Sequence, residues 1–322
     1  MNRVNIILVG LGGMGKVHYS NYREIPEVDV VAVVGKGEED EKTANSFSVP
    51  FFVSLGEAIK AFPFADIVDI TTPSFIHYNY VLEALENGKH VICEKPLSLS
   101  SKEAKELFAL ASKKQLTLNV GHVMRYTHEF GALKRIVEEK TYGSVIDASF
   151  SRISSKPMWS RDSWLFDKSK SGLIPFDLHI HDLDMMVALF GMPKQFRHYA
   201  AGKDSNGIQL YHNMEYTYDG FRVKAEAGWL ESSVPFTAVW RVIFEKAVVE
   251  YDGKRVMVYP WKEDPFEVDT SYSKVISTGI NLSANGWYYE ELKYLIDSFI
   301  NHPRNIIDPD VLIGELEILE SM

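Results

Sequence analysis

The chain has 322 residues, 46% hydrophobic and 24% charged, which is the usage of a folded globular protein with length for one large core or two ordinary ones. Against 34 Lys and Arg stand 44 Asp and Glu, a net charge of −10 with no basic cluster, which argues against a nucleic-acid or anionic-membrane surface and for a small-molecule partner. No apolar run reaches the ~18 residues that span a bilayer, the lone Cys93 excludes an internal disulfide or a multi-cysteine zinc site, and the short apolar start runs into glycines, so a cytoplasmic protein is expected.

Up to about residue 121, β-branched runs at Asn5–Val9, Val28–Val34, Ala65–Thr71, Lys89–Cys93 and Leu116–Val120 alternate with helical patterns at Lys16–Arg23, Ala58–Phe62, Tyr78–Asn87 and Ser101–Lys113. Alternation of this kind builds a parallel, doubly wound sheet. Cys93 falls on such a strand and is read as a core residue. Beyond this point the helical alternation stops, and all six tryptophans (Trp159, Trp164, Trp229, Trp240, Trp261 and Trp287) follow. Asp219-Gly220 separates the strand patterns Tyr211–Tyr218 and Phe221–Trp229, and Asp252-Gly253 separates Ala247–Tyr251 from Lys254–Tyr259, both pairs suiting tight hairpins. Amphipathic patterns at Trp287–Ile300 and Asp308–Leu319 predict closing helices. The expected division is 1–121 for the α/β sheet domain and 122–322 for an α+β domain with a mostly antiparallel sheet.

Gly10-Leu11-Gly12-Gly13-Met14-Gly15 fits G-x-G-x-x-G between the first strand and a helix. In that context the first glycine makes a tight turn, the second lets backbone approach a pyrophosphate and the third lets helix and strand pack closely, with the phosphate met by the helix N-terminus. The acidic residue that would bond the adenosine ribose about 20 residues on is replaced by Gly35. Lys36 beside it could meet the 2′-phosphate of NADP, whereas Glu38, Glu39, Asp40 and Glu41 would repel one. The cofactor is therefore NAD or NADP, with a lean to NADP, and Gly35-Lys36-Gly37 can also be read as a plain turn.

Two further segments carry chemistry. Glu94-Lys95-Pro96 ends a parallel strand, where open α/β sheets bind ligands, and an ammonium there can hold a substrate oxygen as charge develops, although a solvated strand end reads the same way. In Pro175–Met186, His179 and His181 would face one side of a strand and could ligate a metal. The 3–4 apolar spacing of Ile180, Leu183, Val187 and Phe190 favours a helix, on which Asp177, His181 and Asp184 share an arc of roughly 60° and His179 lies roughly 160° from His181. Asp177 and His181 then form a carboxylate and imidazole pair suited to acid–base work, or a capping aspartate and a packed histidine. No metal is expected.

Together the motifs resemble the glucose-fructose oxidoreductase, inositol dehydrogenase and rhizopine-catabolism (Gfo/Idh/MocA) family across nearly the whole chain. Gly10 to Gly15 resembles its glycine turn, Thr72-Pro73-Ser74-Phe75-Ile76-His77 its Thr-Pro-x-x-x-His loop, Glu94-Lys95-Pro96 its Glu-Lys-Pro, and Gly121-His122-Val123-Met124-Arg125-Tyr126 its Gly-His-x-x-Arg-Phe segment. Asp177 and His181 match the Asp-x-x-x-His of its sugar and cyclitol dehydrogenases, with Asp182 completing a His-Asp pair. Gly35 departs from the family's acidic residue, His179 stands where many members carry glycine, and Ser171-Gly172 shortens the usual glycine cluster.

The resemblance implies a Rossmann domain followed by an α+β domain whose open sheet forms a homodimer or homotetramer, with substrate between the domains. It also implies an NAD(P)-dependent dehydrogenase acting on a secondary alcohol of a sugar, sugar acid or cyclitol. Lys95 would reach the substrate hydroxyl, His181 would take its proton and Asp177 would orient the ring. Gly10, Gly12, Gly13, Met14, Gly15, Gly35, Lys36, Thr72, Pro73, His77, Glu94 and Lys95 would line the cofactor. His122, Arg125, Tyr126, Trp159 and Trp164 would join the catalytic residues around the substrate. Competing readings are a glycosidase that retains its nucleotide, a non-catalytic sugar-responsive regulator, and the metal hydrolase suggested by the histidine pair.

Overall fold

The structure is a computed structural model describing residues 3–158, 160–277, 279 and 284–322. The chain forms two compact units, Met1–Tyr126 with Tyr272–Glu317, and Thr127–Ser271 with Ile318–Met322. The expected single cut near residue 121 thus misses a return of the chain to the first unit.

In the first unit the elements run β1 (Val4–Val9), α1 (Gly13–Tyr22), β2 (Val28–Val34), α2 (Gly37–Phe47), β3 (Phe51–Phe52), α3 (Leu55–Ala61), β4 (Ile67–Ile70), α4 (His77–Glu86), β5 (His90–Glu94), α5 (Ser101–Lys114) and β6 (Leu118–Gly121). The six strands are parallel in the order β3-β2-β1-β4-β5-β6. The order reverses between β1 and β4, and open sheets take ligands at the carboxyl ends of strands beside such a reversal. The long apolar runs follow from burial on both faces, with Ile6, Ile7, Leu8, Val68 and Ile70 fully enclosed. Helix α2 and strand β3 were not anticipated. Only Asp40 and Ala44 of α2 are buried, so it has no apolar stripe to read, while Glu38, Glu39 and Asp40 in its first turn complement the helix dipole.

The second unit opens with α6 (His128–Glu138) and the long strand β7 (Val145–Ser155). It continues with α7 (Lys168–Ser171), a π-helical turn at Pro175–His179 leading directly into α8 (Ile180–Phe190), and the strands β8 (Gln195–Lys203), β9 (Gln209–Thr217), β10 (Arg222–Leu230), β11 (Thr237–Phe244), β12 (Ala247–Tyr251), β13 (Val256–Pro260) and β14 (Phe266–Val268). They form one sheet, β14-β13-β12-β11-β7-β10-β9-β8, antiparallel except for the pair of β7 and β10. Both Asp-Gly hairpins are present, and in each the glycine takes the positive φ, +85° at Gly220 and +93° at Gly253. Helix α8 lies on the inner face, where Arg152 of β7 grips Asp182 with Nη2 2.8 Å and Nε 3.2 Å from its carboxylate, both side chains buried.

The closing helices are α9 (Trp287–Asn301) and α10 (Pro309–Glu320). Leu292, Leu295 and Ile296 of α9 pack with Val4, Ile6, Tyr22, Ile25, Ile67 and Ile92 into one core cluster, which explains why this helix belongs with the parallel sheet. Each such aliphatic side chain contributes about 1.5–3 kcal/mol by leaving water.

The Arg152–Asp182 pair yields the first prediction. Asp182→Ala leaves a buried guanidinium without its partner and lowers unfolding free energy by about 3–5 kcal/mol, whereas Arg152→Met with Asp182→Leu recovers most of that loss. Urea unfolding of the three proteins checks this, and an additive loss in the double variant would show that the pair is not coupled.

Candidate active site

The three glycines of the first turn have three separate causes. Gly10 has φ +99°, and a Cβ there would lie 2.9 Å from the Thr71 carbonyl carbon. A Cβ on Gly15 would sit 1.9 Å from the Gly10 oxygen, so only glycine lets α1 leave β1 at this angle. At Gly12 a Cβ would meet nothing within 4 Å. Its absence relieves no internal contact and instead leaves open space in front of the first amides of α1, where a phosphate would be received. Across the strand-order reversal, the Thr72 hydroxyl just past the end of β4 is buried without a hydrogen-bond partner among the described residues, as expected of a group that receives a ligand. These features fit a dinucleotide.

Behind the turn lies a buried charge cluster. His18 of α1 is fully enclosed, with Nδ1 2.7 Å from Asp69 Oδ2 and Nε2 3.2 Å from Glu94 Oε1. Burial opposes the charged ring, but the charges and hydrogen bonds of Asp69 and Glu94 outweigh it and hold the imidazole well above its usual pKa. Burial likewise works to raise Glu94, and the hydrogen bond and charge of His18 override it and keep the carboxyl below its usual value. The other oxygen of Glu94 accepts the Lys95 backbone N–H at 3.1 Å. One imidazolium thus ties α1 to the ends of β4 and β5 and fixes the peptide from which Lys95 projects.

His77 supplies a second tie. Its Nδ1 is 2.7 Å from the Pro96 carbonyl and its Nε2 2.7 Å from the Thr72 carbonyl. Burial draws this ring below its usual pKa, against the pull of the two carbonyls. The ring thus lies between the Thr72-Pro73 loop and the Lys95-Pro96 segment, where the peptide bond is cis, and in its neutral form donates to one of the two carbonyls. Of the residues expected from sequence, Gly12, Gly13 and Lys36 are exposed, Met14, Thr72, Pro73 and Lys95 half-buried, and Gly35 and Glu94 buried. Cys93 is buried and its thiol is pushed up by that burial, consistent with a core residue. His122 is buried behind β6, Arg125 has Nη2 3.6 Å from Glu315 of α10, and Tyr126 packs against Tyr294 of α9 at 5.4 Å between rings. Both Arg125 and Tyr126 therefore also serve the core of the first unit.

In the second unit, the π turn and α8 sort the ionisable run Asp177–Asp184 by depth. His179 is fully buried, with Nε2 2.6 Å from the Tyr216 hydroxyl of β9 and its ring stacked on that phenol, and burial draws it down to about 3. Asp182 is held by Arg152, and Asp184 is fully enclosed. Asp177 and His181 are the two left half-buried. The expected helix is present, but it begins as a π turn, whose i→i+5 bonds enclose more residues per turn and bring positions four apart nearer to alignment than the regular helix assumed from sequence. His179 Nε2 is engaged by the Tyr216 hydroxyl. Trp164 is half-buried in a 3₁₀ segment, and Trp159 lies outside the described residues.

Sequence reasoning passed over His18 and Asp69. A signal existed: Asp69 interrupts the apolar run Ile67–Ile70, and a buried acid inside a strand requires a cation or donor nearby. For His18→Gln we expect a stability loss of about 3 kcal/mol or more at pH 7. The loss should be largest below the usual imidazole range and shrink as the pH is raised through the elevated folded-state value of His18. The sign follows from the raised folded-state value of His18: its stabilisation is complete below the usual imidazole range and fades as pH rises through the folded value. Denaturant unfolding at several pH values measures this, and a pH-independent loss would mean that packing, not charge, holds the cluster.

Residues 4–122 match the oxidoreductase family with an NAD-binding Rossmann fold, and residues 130–250 match the GFO/IDH/MocA C-terminal domain. Levoglucosan dehydrogenase of Pseudarthrobacter phenanthrenivorans is 30% identical over 206 residues, 59% of this chain and 52% of its own. The scyllo-inositol 2-dehydrogenase (NADP(+)) of Bacillus subtilis is 24% identical over 262 residues, 80% of this chain and 67% of its own. The chain spans about half the length of the first curated relatives it matches, 53% and 52%. In fold it is similar to levoglucosan dehydrogenase solved with NADH and L-sorbose, at a TM-score of 0.86 and 19% identity over 100% of this chain and 96% of that one. It is similarly related to an Agrobacterium radiobacter oxidoreductase solved with NAD+, L-tartaric acid and magnesium, at 0.85 and 16% over 99% and 95%. With both of its units matched in order, the chain belongs to the GFO/IDH/MocA oxidoreductase family.

Proposed function

We propose that this protein is an NAD(P)-dependent dehydrogenase acting on a secondary alcohol of a sugar, sugar acid or cyclitol, with Lys95, Asp177 and His181 as its catalytic residues. The observation that carries the reading is the sorting by depth in the second unit: the neighbours His179 and Asp182 are locked into structural pairs, while Asp177 and His181 stay half-buried on one helical segment. Relatives that are sugar and cyclitol dehydrogenases by name support the substrate class.

A bound nicotinamide dinucleotide supplies the hydride acceptor or donor. His181 takes the proton from the substrate hydroxyl, a transfer worth 10²- to 10⁴-fold for a positioned general base. Asp177 accepts a hydrogen bond from a hydroxyl and orients the substrate for it. The Lys95 ammonium favours the alkoxide-like oxygen that develops, and the Glu94 bond to its backbone limits where it can reach. His122, Arg125, Tyr126 and Trp164 contribute to the substrate wall in this reading, and the sheet of the second unit is the surface through which a homodimer or homotetramer forms.

The test is nucleotide reduction, followed by absorbance, with NAD+ and NADP+ against a panel of aldoses, inositols and sugar acids. With a substrate in hand, Lys95→Ala and His181→Ala each lower kcat by at least about 100-fold while nucleotide affinity stays near wild type. Wild-type rates in both variants would remove their assigned roles. The glycines separate binding from folding. Gly12→Val, whose Cβ meets nothing within 4 Å, weakens nucleotide binding at near-wild-type Tm, whereas Gly15→Val lowers the Tm itself.

A further inference from the structure

Resting on the dinucleotide-binding reading above, we infer that Asp40 replaces the acidic residue missing at the end of β2 and sets the preference for NAD(H) over NADP(H). The sequence alone leans the other way, because Gly35 removes the acid and Lys36 offers a cation. Packing changes the account. Asp40 belongs to the first turn of α2, yet its side chain folds back over the β2 end and is buried, 7% exposed. Its Oδ2 accepts the backbone N–H of Lys36 at 2.7 Å. A Cβ added to Gly35 would lie 2.8 Å from Asp40 Cβ, 2.9 Å from Oδ2 and 3.1 Å from Cγ. The Asp40 carboxylate therefore fills the volume that a side chain at position 35 would occupy. Gly35 has no positive φ to require glycine, and Asp40 is what excludes any larger residue there.

Two consequences bear on the adenosine ribose. A carboxylate at this place accepts a hydrogen bond from a ribose 2′-hydroxyl, as an acid at the strand end does. A 2′-phosphate, carrying about −1.5 to −2 charges, meets that carboxylate and finds the Lys36 amide already engaged. The groups beside it in the chain are mostly of the same sign: Glu38, Glu39 and Glu41 lie on α2, exposed Glu38 draws Lys42 to 3.8 Å, and Lys36 precedes the helix as a cation. Lys36 by itself does not offset a buried acid in the seat of the phosphate.

The experiment measures direct binding of NADH and NADPH by calorimetry, with no substrate and no turnover. Three variants are compared with wild type, each checked for folding by thermal unfolding. For wild type we expect a Kd for NADPH at least about tenfold above that for NADH. Asp40→Asn, which keeps an acceptor for the Lys36 amide but removes the charge, should narrow that ratio by about tenfold or more. Gly35→Asp alone should weaken both nucleotides through the clash with Asp40. Gly35→Asp combined with Asp40→Gly, which moves the acid back to the strand end, should restore NADH binding and its preference. A wild type that prefers NADPH overturns the inference, as does an unchanged ratio in folded Asp40→Asn. If Asp40→Asn does not fold, the relocated acid decides: failure to restore the NADH preference overturns it. Absence of binding of either nucleotide to wild type overturns the dinucleotide reading itself and this inference with it, an outcome distinct from the others.

Discussion

An imidazolium sealed between two carboxylates holds the first unit's ligand-facing edge together. His18, Asp69 and Glu94 come from three elements, 51 and 76 residues apart in sequence from the histidine to each acid. In water each group would be solvated and the pairings would be worth little. In a dry interior, any one of them alone would carry a large desolvation cost, and only the set of three is tolerable. That requirement gives the cluster its geometric authority. The ends of β4 and β5 and the first helix cannot shift independently without separating buried charges, so the glycine turn, the Thr72 loop and the Lys95 peptide are fixed in one frame. The His77 tie between the Thr72 and Pro96 carbonyls adds a second constraint to the same frame. A site that must hold reacting atoms to within fractions of an ångström needs such support beneath it.

What the sequence disclosed follows the range of the interactions. The parallel strands were readable because burial on both faces writes a continuous apolar run, and the glycine turn because each of its constraints acts within a few residues. Helix α2 was not, since its buried side is made by one aspartate and one alanine. The closing helix α9 was readable as amphipathic, but nothing in its own pattern says which sheet receives Leu292, Leu295 and Ile296. That depends on surface presented by Ile6, Ile67 and Ile92, far upstream. Amphipathicity identifies a face and leaves its partner unspecified.

Charged residues show the same limit more sharply. From sequence, Glu38, Glu39, Asp40 and Glu41 are four equivalent acids that together discourage a phosphate. The fold makes one of them different: Asp40 turns inward onto Gly35 while Glu38 and Glu39 stay in water. In the second unit, His179 and His181 look alike in the sequence, and phase along the helix separates them correctly. The regular helical angle used for that argument nevertheless gives way to a π turn at Pro175–His179, which follows a loop with Gly172 at positive φ. In that loop, a Cβ on Gly172 would lie 2.4 Å from the Phe176 ring.

The treatment of buried ionisable groups differs between the two units, and the difference fits the chemistry proposed for each. In the first unit the buried histidine is kept charged by two acids, so it can act as a fixed strut whatever the solvent pH near neutrality. In the second, His179 is kept neutral, drawn down to about 3 chiefly by burial, with the nearby Arg152 guanidinium working in the same direction. A neutral ring adds no positive charge beside the half-buried His181. Asp182 is matched by Arg152 at bonding distance, so that pair too brings little net charge to the start of α8.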